Sequence, residues 1–283
     1  MNVPTEPMHE GSAVRAPFSY LFVPGNRPDR FGKALASGAD AIVIDLEDAV
    51  AAHDKVRSRE HLSAWLANRT DVGERVLVRI NDAGTPWFDA DLGLLRGTGI
   101  RAIMLPKVEH GHQVDRVRAA LPSGGFVVPI IESARGVLAV ESIAAVPAVQ
   151  RLAFGTLDYA VDLDLSDDER GLIYPACRIA IASRAAGLLS PIAGVTTDIA
   201  DEAKLLADLA FARACGFGAK LCIHPRQVAA LHRALSPRPE EIAWAQRVLA
   251  AADAAPGAVQ VDGQMVDRPV LLKAKSILER ASR

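Results

Sequence analysis

Cysteine is scarce in this 283-residue chain: Cys177, Cys215 and Cys222 are the only three. Their odd number and the lack of any CxxC argue against a disulfide framework and a zinc ribbon. A reducing compartment follows, and a cytoplasmic location is expected. Charge of one sign is also lacking. Lys and Arg total 32 against 34 Asp and Glu, a formal net charge of -2 with no basic block, so nothing draws the chain broadly to nucleic acid or membrane. No apolar run approaches the ~20 residues that cross a bilayer. Met1 to Pro17 has no apolar centre, so it does not read as a signal peptide, and residues 1–17 are expected to form a flexible tail. No GxGxxG follows the first apolar run, which weakens a dinucleotide fold. Ser133 and Ser190 lack a Gly-x-Ser-x-Gly elbow, which argues against a serine hydrolase. Low-complexity segments and short repeats are missing too.

What is present is a regular alternation. Half of the residues are hydrophobic and 23% are charged, an ordinary soluble composition with ample material for a core. Short β-rich runs occur at Ser19–Val23, Ala41–Leu46, Arg75–Ile80, Ala102–Leu105, Phe126–Ile131 and Arg151–Phe154, with weaker ones at Leu188–Ile192 and Ala219–Ile223. They are apolar nearly throughout, as strands covered on both faces are. Between them lie segments with helical spacing, such as Asp29–Ser37, His110–Leu121 and Ile199–Cys215. This predicts an α/β fold, a (β/α)8 TIM barrel over residues 18–236, with an open doubly wound sheet as the alternative. Residues 237–283 read differently. A helix at Glu240–Ala252 precedes a hairpin turning at Asp262-Gly263, and Asp267 stands where it would cap a last helix. This hairpin-helix extension is expected to be a lid or an oligomer contact.

Barrel enzymes carry their chemistry at the C-terminal ends of strands. Here those ends read Pro24-Gly25-Asn26-Arg27, Asp45-Leu46-Glu47-Asp48, Arg79-Ile80-Asn81, Pro106-Lys107-Val108-Glu109, Glu132-Ser133, Gly155-Thr156-Leu157-Asp158 and His224-Pro225. Glu132 and Asp158 come from neighbouring strands and suit Mg²⁺, which takes carboxylate oxygens and retains water; capping of the following helices is the alternative. Arg79 suits a substrate carboxylate, or a structural bridge to Glu47 or Asp48, or both. Glu47 and Asp48 are candidates for positioning water or moving a proton, or are solvated caps. Arg27 and Lys33 suit phosphates or are surface cations. Lys107 offers a Schiff-base amine, a lesser option beside the metal set. His224 reads as a satisfied rim histidine, and the His110/His112 pair lacks a third zinc ligand.

In order along the chain, Leu21-Phe22-Val23-Pro24-Gly25-Asn26-Arg27-Pro28, Asp45-Leu46-Glu47-Asp48-Ala49-Val50, Val78-Arg79-Ile80-Asn81, Leu105-Pro106-Lys107-Val108-Glu109, Ile131-Glu132-Ser133-Ala134-Arg135-Gly136, Phe154-Gly155-Thr156-Leu157-Asp158 and Lys220-Leu221-Cys222-Ile223-His224-Pro225 resemble the citrate lyase beta-subunit-like family. That family, of HpcH/HpaI aldolase type, includes the malyl-CoA and citramalyl-CoA lyases of the pyruvate/phosphoenolpyruvate barrel superfamily. The resemblance spans about residues 18–280. It implies Mg²⁺ held by Glu132 and Asp158, a substrate acid on Arg79 and a coenzyme A handle near Arg27 and Lys33. It also implies that Asp267, in Val266-Asp267-Arg268-Pro269, serves as an acid–base group in a neighbouring subunit's site, within a homotrimer or homohexamer. The implied reaction is cleavage of a malyl-, citramalyl- or citryl-type CoA thioester to an acyl-CoA and a 2-oxo acid. Thioester hydrolysis, malate synthase-like condensation, a carrier-dependent lyase subunit and a free-acid aldolase are the alternatives. One departure is the acidic run Asp162-Leu163-Asp164-Leu165-Ser166, continued by Asp167, Asp168 and Glu169, where relatives often have glycine.

Overall fold

A computed structural model describes residues 16–67, 69, 73–166, 168–254 and 259–281; most of the expected N-terminal tail lies outside them. Eight parallel strands close into a barrel in sequence order: β1 (Ser19–Pro24), β2 (Ala41–Asp45), β3 (Val76–Arg79), β4 (Ala102–Leu105), β5 (Phe126–Ile131), β6 (Arg151–Phe154), β7 (Leu189–Ala193) and β8 (Ala219–Cys222). β8 returns to β1 with Tyr20 opposite Leu221. The expected barrel is present and the open sheet is not. The helices are α1 (Phe31–Leu35), α2 (Lys55–Leu66), α3 (Phe88–Thr98), α4 (Gly111–Arg118), α5 (Ala134–Ala144), α6 (Thr156–Asp162), α7 (Arg170–Ala185), α8 (Glu202–Ala214) and α9 (Pro225–Leu235).

The continuous apolar runs have a simple cause. Ala41 and Val43 of β2 join Tyr20, Leu77, Met104, Val128, Ile130 and Ile192 inside the barrel. Ile42 and Ile44, pointing the other way, are just as buried. Both faces of each strand are covered, so period-two alternation disappears from the sequence. At the N-terminal end, the buried Arg151 guanidinium donates to the carbonyls of Ser190 and Pro17 and to the Tyr20 hydroxyl, tying β6, β7 and β1 together.

Caps set the element ends, and they explain where boundaries differ from the sequence reading. The stretch expected as one helix from Asp29 is a 3-10 turn at Pro28–Arg30 followed by α1. His110 is the N-cap of α4 in a capping box with Gln113, not its first residue. Asp201 caps α8 by accepting the Lys204 N–H, so the helix begins after Ile199. Ser133 caps α5 by accepting the Gly136 N–H at 3.1 Å.

The chain divides into two compact units, one as far as Val228 and one from Ala229. The second contains α10 (Pro239–Ala254), an antiparallel hairpin of β9 (Val259–Val261) and β10 (Gln264–Val266), and α11 (Arg268–Ala281). Its core joins Ala245 and Val248 to Val266, Ala274 and Ile277. Asp262 and Gly263 take positive φ of 52° and 78°, the mirror-image turn that a Asp-Gly pair favours.

Candidate active site at the barrel mouth

Arg79, at the end of β3, lies across the mouth. Its Nε donates to Asp45 Oδ1 and its Nη2 to Asp45 Oδ2, both at 2.7 Å. Its Nη1 stands 2.8 Å from Glu47 Oε2 and 3.6 Å from Asp48 Oδ2. The guanidinium lies over the Phe22 ring, 4.7 Å from its centroid. Burial alone would lower the Arg79 pKa, but the three carboxylates outweigh it and hold the proton more tightly. Asp45 also accepts the N–H groups of Glu47 and Ala49, which shapes the turn carrying Glu47 and Asp48.

That turn is pinned from below. Lys55 of α2 donates its Nζ to the carbonyls of Leu46 and Glu47 at 2.7 Å each and to Asn81 Oδ1 at 2.6 Å. Asn81 in turn gives its backbone N–H and its amide to Asp91 Oδ2. Burial pushes the Glu47 carboxyl up to about 7, and the charges of Asp48 and Asp45 add to this while Arg79 and Lys107 oppose it.

Glu132 follows β5 and is 5% exposed. Its Oε1 accepts the Lys107 N–H at 2.7 Å, from a backbone that Lys107 holds at a φ of 52°. Burial first, and then the nearby Asp158 charge, raise the Glu132 pKa to about 8. Asp158 sits in the first turn of α6 and is half-buried. A Cβ on Gly155 would lie 2.1 Å from Glu132 Oε2, so only glycine leaves this carboxylate its place. Arg79, Asp48, Glu132, Asp158 and Phe22 line one cavity of about 410 Å³. Among the described residues no cluster of three or more His, Cys, Asp or Glu is arranged for a metal. The mouth thus offers two convergent carboxylates, not a closed protein cage.

Of the residues picked out in the sequence, Arg79, Glu47, Asp48, Glu132 and Asp158 meet here, joined by Lys107, whose Nζ is 3.2 Å from Glu47 Oε1. That pairing holds the Lys107 proton more tightly despite burial, which argues against a neutral Schiff-base amine. Arg27 and Lys33 are exposed and do not line the cavity; Arg27 pairs with Asp29 at 3.0 Å. Asp267 belongs to the C-terminal unit, where it accepts the Val270 N–H at 3.1 Å as the N-cap of α11. His224 accepts the Arg226 N–H at 3.2 Å. The His110 and His112 rings stack, and His110 is occupied as a cap. Sequence reasoning missed Lys55, which sits in a polar helix and gave no signal. It also missed Gly155, whose adjacency to the Asp158 turn was visible without showing the need for glycine.

The sequence pattern of the HpcH/HpaI aldolase/citrate lyase family matches residues 19–225. A citrate lyase subunit beta-like protein of Mycobacterium tuberculosis is 37% identical over 269 residues, covering 93% of this chain and 94% of the relative. A (3S)-malyl-CoA thioesterase of Cereibacter sphaeroides is 34% identical over 280 residues, covering 93% and 94%. The crystal structure of the CitE protein of M. tuberculosis with magnesium, acetoacetate and coenzyme A superposes with a TM-score of 0.83 at 36% identity, covering 95% of this chain and 100% of that one.

Proposed function

The chain belongs to the HpcH/HpaI aldolase/citrate lyase family, and we propose that within it the protein is a Mg²⁺-dependent carbon–carbon lyase, cleaving a malyl-, citramalyl- or citryl-type 3-hydroxyacyl-CoA thioester to an acyl-CoA and a 2-oxo acid. The observation that carries this reading is the buried Glu132 beside Asp158, facing the same cavity as Arg79.

The residues fit a magnesium ion. Glu132, whose cost of ionisation is raised by burial and by the Asp158 charge, and Asp158 face a cavity spacious enough for water and substrate oxygens, an oxygen-donor set for a hard cation. Glu132 and Asp158 would hold it, and when bound it supplies Lewis-acid polarisation of the substrate oxygens. Arg79 binds the acid end of the substrate. Its Nε and Nη2 are committed to Asp45, while the edge that carries Nη1 stands near Glu47 and Asp48 without a hydrogen bond and is the edge a substrate carboxylate would take. The hydroxyl proton passes to the Glu47–Asp48 pair: Asp48 lines the cavity, and Glu47 behind it is lifted to about 7, where it gains and loses a proton near neutrality. The bond between acyl carbons 2 and 3 then breaks, and carbon 2 takes a proton from Asp267 of a neighbouring subunit. Arg27 and Lys33 hold the phosphates of the coenzyme A handle.

A homotrimer or homohexamer in the cytoplasm completes the reading. In its support, α5, α6 and α7 expose Leu138, Val161, Tyr174 and Ile181, apolar surface that another copy would cover.

The thioesterase relative at 34% identity favours one second reading, hydrolysis on the same scaffold. Products separate the two. With Mg²⁺ and malyl-CoA, a thiol reagent detects no free coenzyme A if the protein is a lyase, because cleavage keeps the thioester. Stoichiometric free thiol and malate would replace the lyase reading with hydrolysis.

A further inference from the structure

A second cavity, of about 260 Å³, lies outside the barrel wall, between β6–β8 and the helices α6, α7 and α8. Ala153, Ile192, Ala219 and Leu221 fill the barrel, so their neighbours Phe154, Ala193 and Lys220 face this outer space. Phe154, Phe211, Phe217, Leu172 and Ala176 make its walls apolar. Its charges are answered from within. Lys220, 2% exposed, donates its Nζ to the Gly194 carbonyl at 2.8 Å. At the outer rim Lys204 pairs with Glu169 at 2.6 Å and with Asp208 at 2.9 Å, and Asp208 accepts the Thr196 hydroxyl. Lys204 is already paired with carboxylates and Lys220 already bonded to a carbonyl, and an uncharged apolar chain meets matching walls.

This cavity adjoins the catalytic mouth. Thr156, Leu157, Gly194 and Val195 line both. A Cβ on Gly194 would fall 2.5 Å from Thr156 Oγ1, so glycine lets the loop after β7 close onto α6 as the shared wall. Thr156 and Leu157 immediately precede Asp158, so the wall that the two cavities share stands next to the Glu132–Asp158 position.

We infer that this cavity is an acyl-chain pocket: it receives an alkyl substituent on carbon 2 of the thioester, so that the preferred substrate yields an acyl-CoA longer than acetyl. The inference rests on the lyase reading. An apolar cavity of about 150 Å³ holds benzene, so the space here takes a chain of roughly four to six carbons. The chemistry is unchanged by the substituent. The bond between carbons 2 and 3 breaks, the hydroxyl oxygen becomes the oxo group of the 2-oxo acid, and carbon 2 of the released straight-chain acyl-CoA takes a proton.

Calorimetric binding of acetyl-CoA and hexanoyl-CoA tests the pocket without turnover. The wild-type protein should bind hexanoyl-CoA tighter by about tenfold or more, and Ala176→Leu, which fills the far wall, should bring hexanoyl-CoA down to the acetyl-CoA level. Phe211→Ala, which enlarges the space, should preserve the preference for the longer chain. Equal affinity of the wild type for both esters would mark the cavity as a packing void and overturn the inference, leaving the lyase reading standing. Failure of both esters to bind would overturn both.

Discussion

The two carboxylate oxygens of Asp45 take the Nε and Nη2 of Arg79 at 2.7 Å each, a paired contact across β2 and β3 with Asp45 only 1% exposed. This fork fixes the guanidinium plane before any substrate arrives, and a lysine has no such plane. Arg79→Lys should therefore lower kcat/KM by about 100-fold, as misplacement of an anchoring group does. Steady-state kinetics with a malyl-type thioester check this; activity within twofold of wild type would mean that charge alone suffices.

Asp45 itself carries a structural consequence. Removing it leaves Arg79 buried without its main partner and frees the turn that holds Glu47 and Ala49. Asp45→Ala should cost about 3–5 kcal/mol of folding stability, as breaking a buried pair from one side does. Urea unfolding measures it, and a change below about 1 kcal/mol would show that solvent replaces the contact.

Much of this site was legible in the sequence, for a physical reason. Strand ends of a parallel barrel converge on one rim, so the polar residues closing each apolar run had to meet if the barrel was right. Glu132, Asp158, Arg79, Glu47 and Asp48 did so because each ends or shortly follows one of four strands, β2, β3, β5 and β6. Pairings between those residues were harder to read. The Arg79–Asp45 fork depends on Asp45 standing opposite Arg79 in the β2–β3 register, and register is a three-dimensional fact. Lys55 was invisible because a lysine in a polar helix ordinarily faces water, whereas here it folds under the β2 turn. Arg27 stands just after β1 and Lys33 on the next helix, α1, as expected, yet both point to solvent, since position along an element does not determine where a long flexible side chain goes.

Gly155 makes a sharper prediction about the metal. Gly155→Ala places a methyl 2.1 Å from Glu132 Oε2, so the carboxylate must swing away. Mg²⁺ should then bind about 10–100-fold more weakly, with a correspondingly smaller Mg²⁺-induced rise in Tm. An unchanged Mg²⁺ titration of this variant would place the ion elsewhere.

Glu47 gives the protein a pH signature. Its carboxyl titrates at about 7 in the fold against an ordinary value of 4.5. Between these values the folded chain holds a proton that the unfolded chain has released, so the folded state is favoured most at low pH. That contribution is present in full below 4.5 and is lost as pH rises through about 7. Glu47→Gln cannot titrate. Urea midpoints for wild type and variant should therefore diverge across this window, with the wild type losing the more stability as pH rises. Parallel curves would show that the Arg79 and Lys107 cations keep Glu47 ionised throughout.

The account stands on Glu132 and Asp158 acting with Arg79 in one lyase site, and the most direct measurement is 2-oxo acid release by the purified protein from malyl-, citramalyl- and citryl-CoA with Mg²⁺. Release of glyoxylate, pyruvate or oxaloacetate is predicted, abolished by a chelator in the wild type and absent from Glu132→Ala even at high Mg²⁺. Full activity of Glu132→Ala, or release that a chelator leaves untouched, would contradict it.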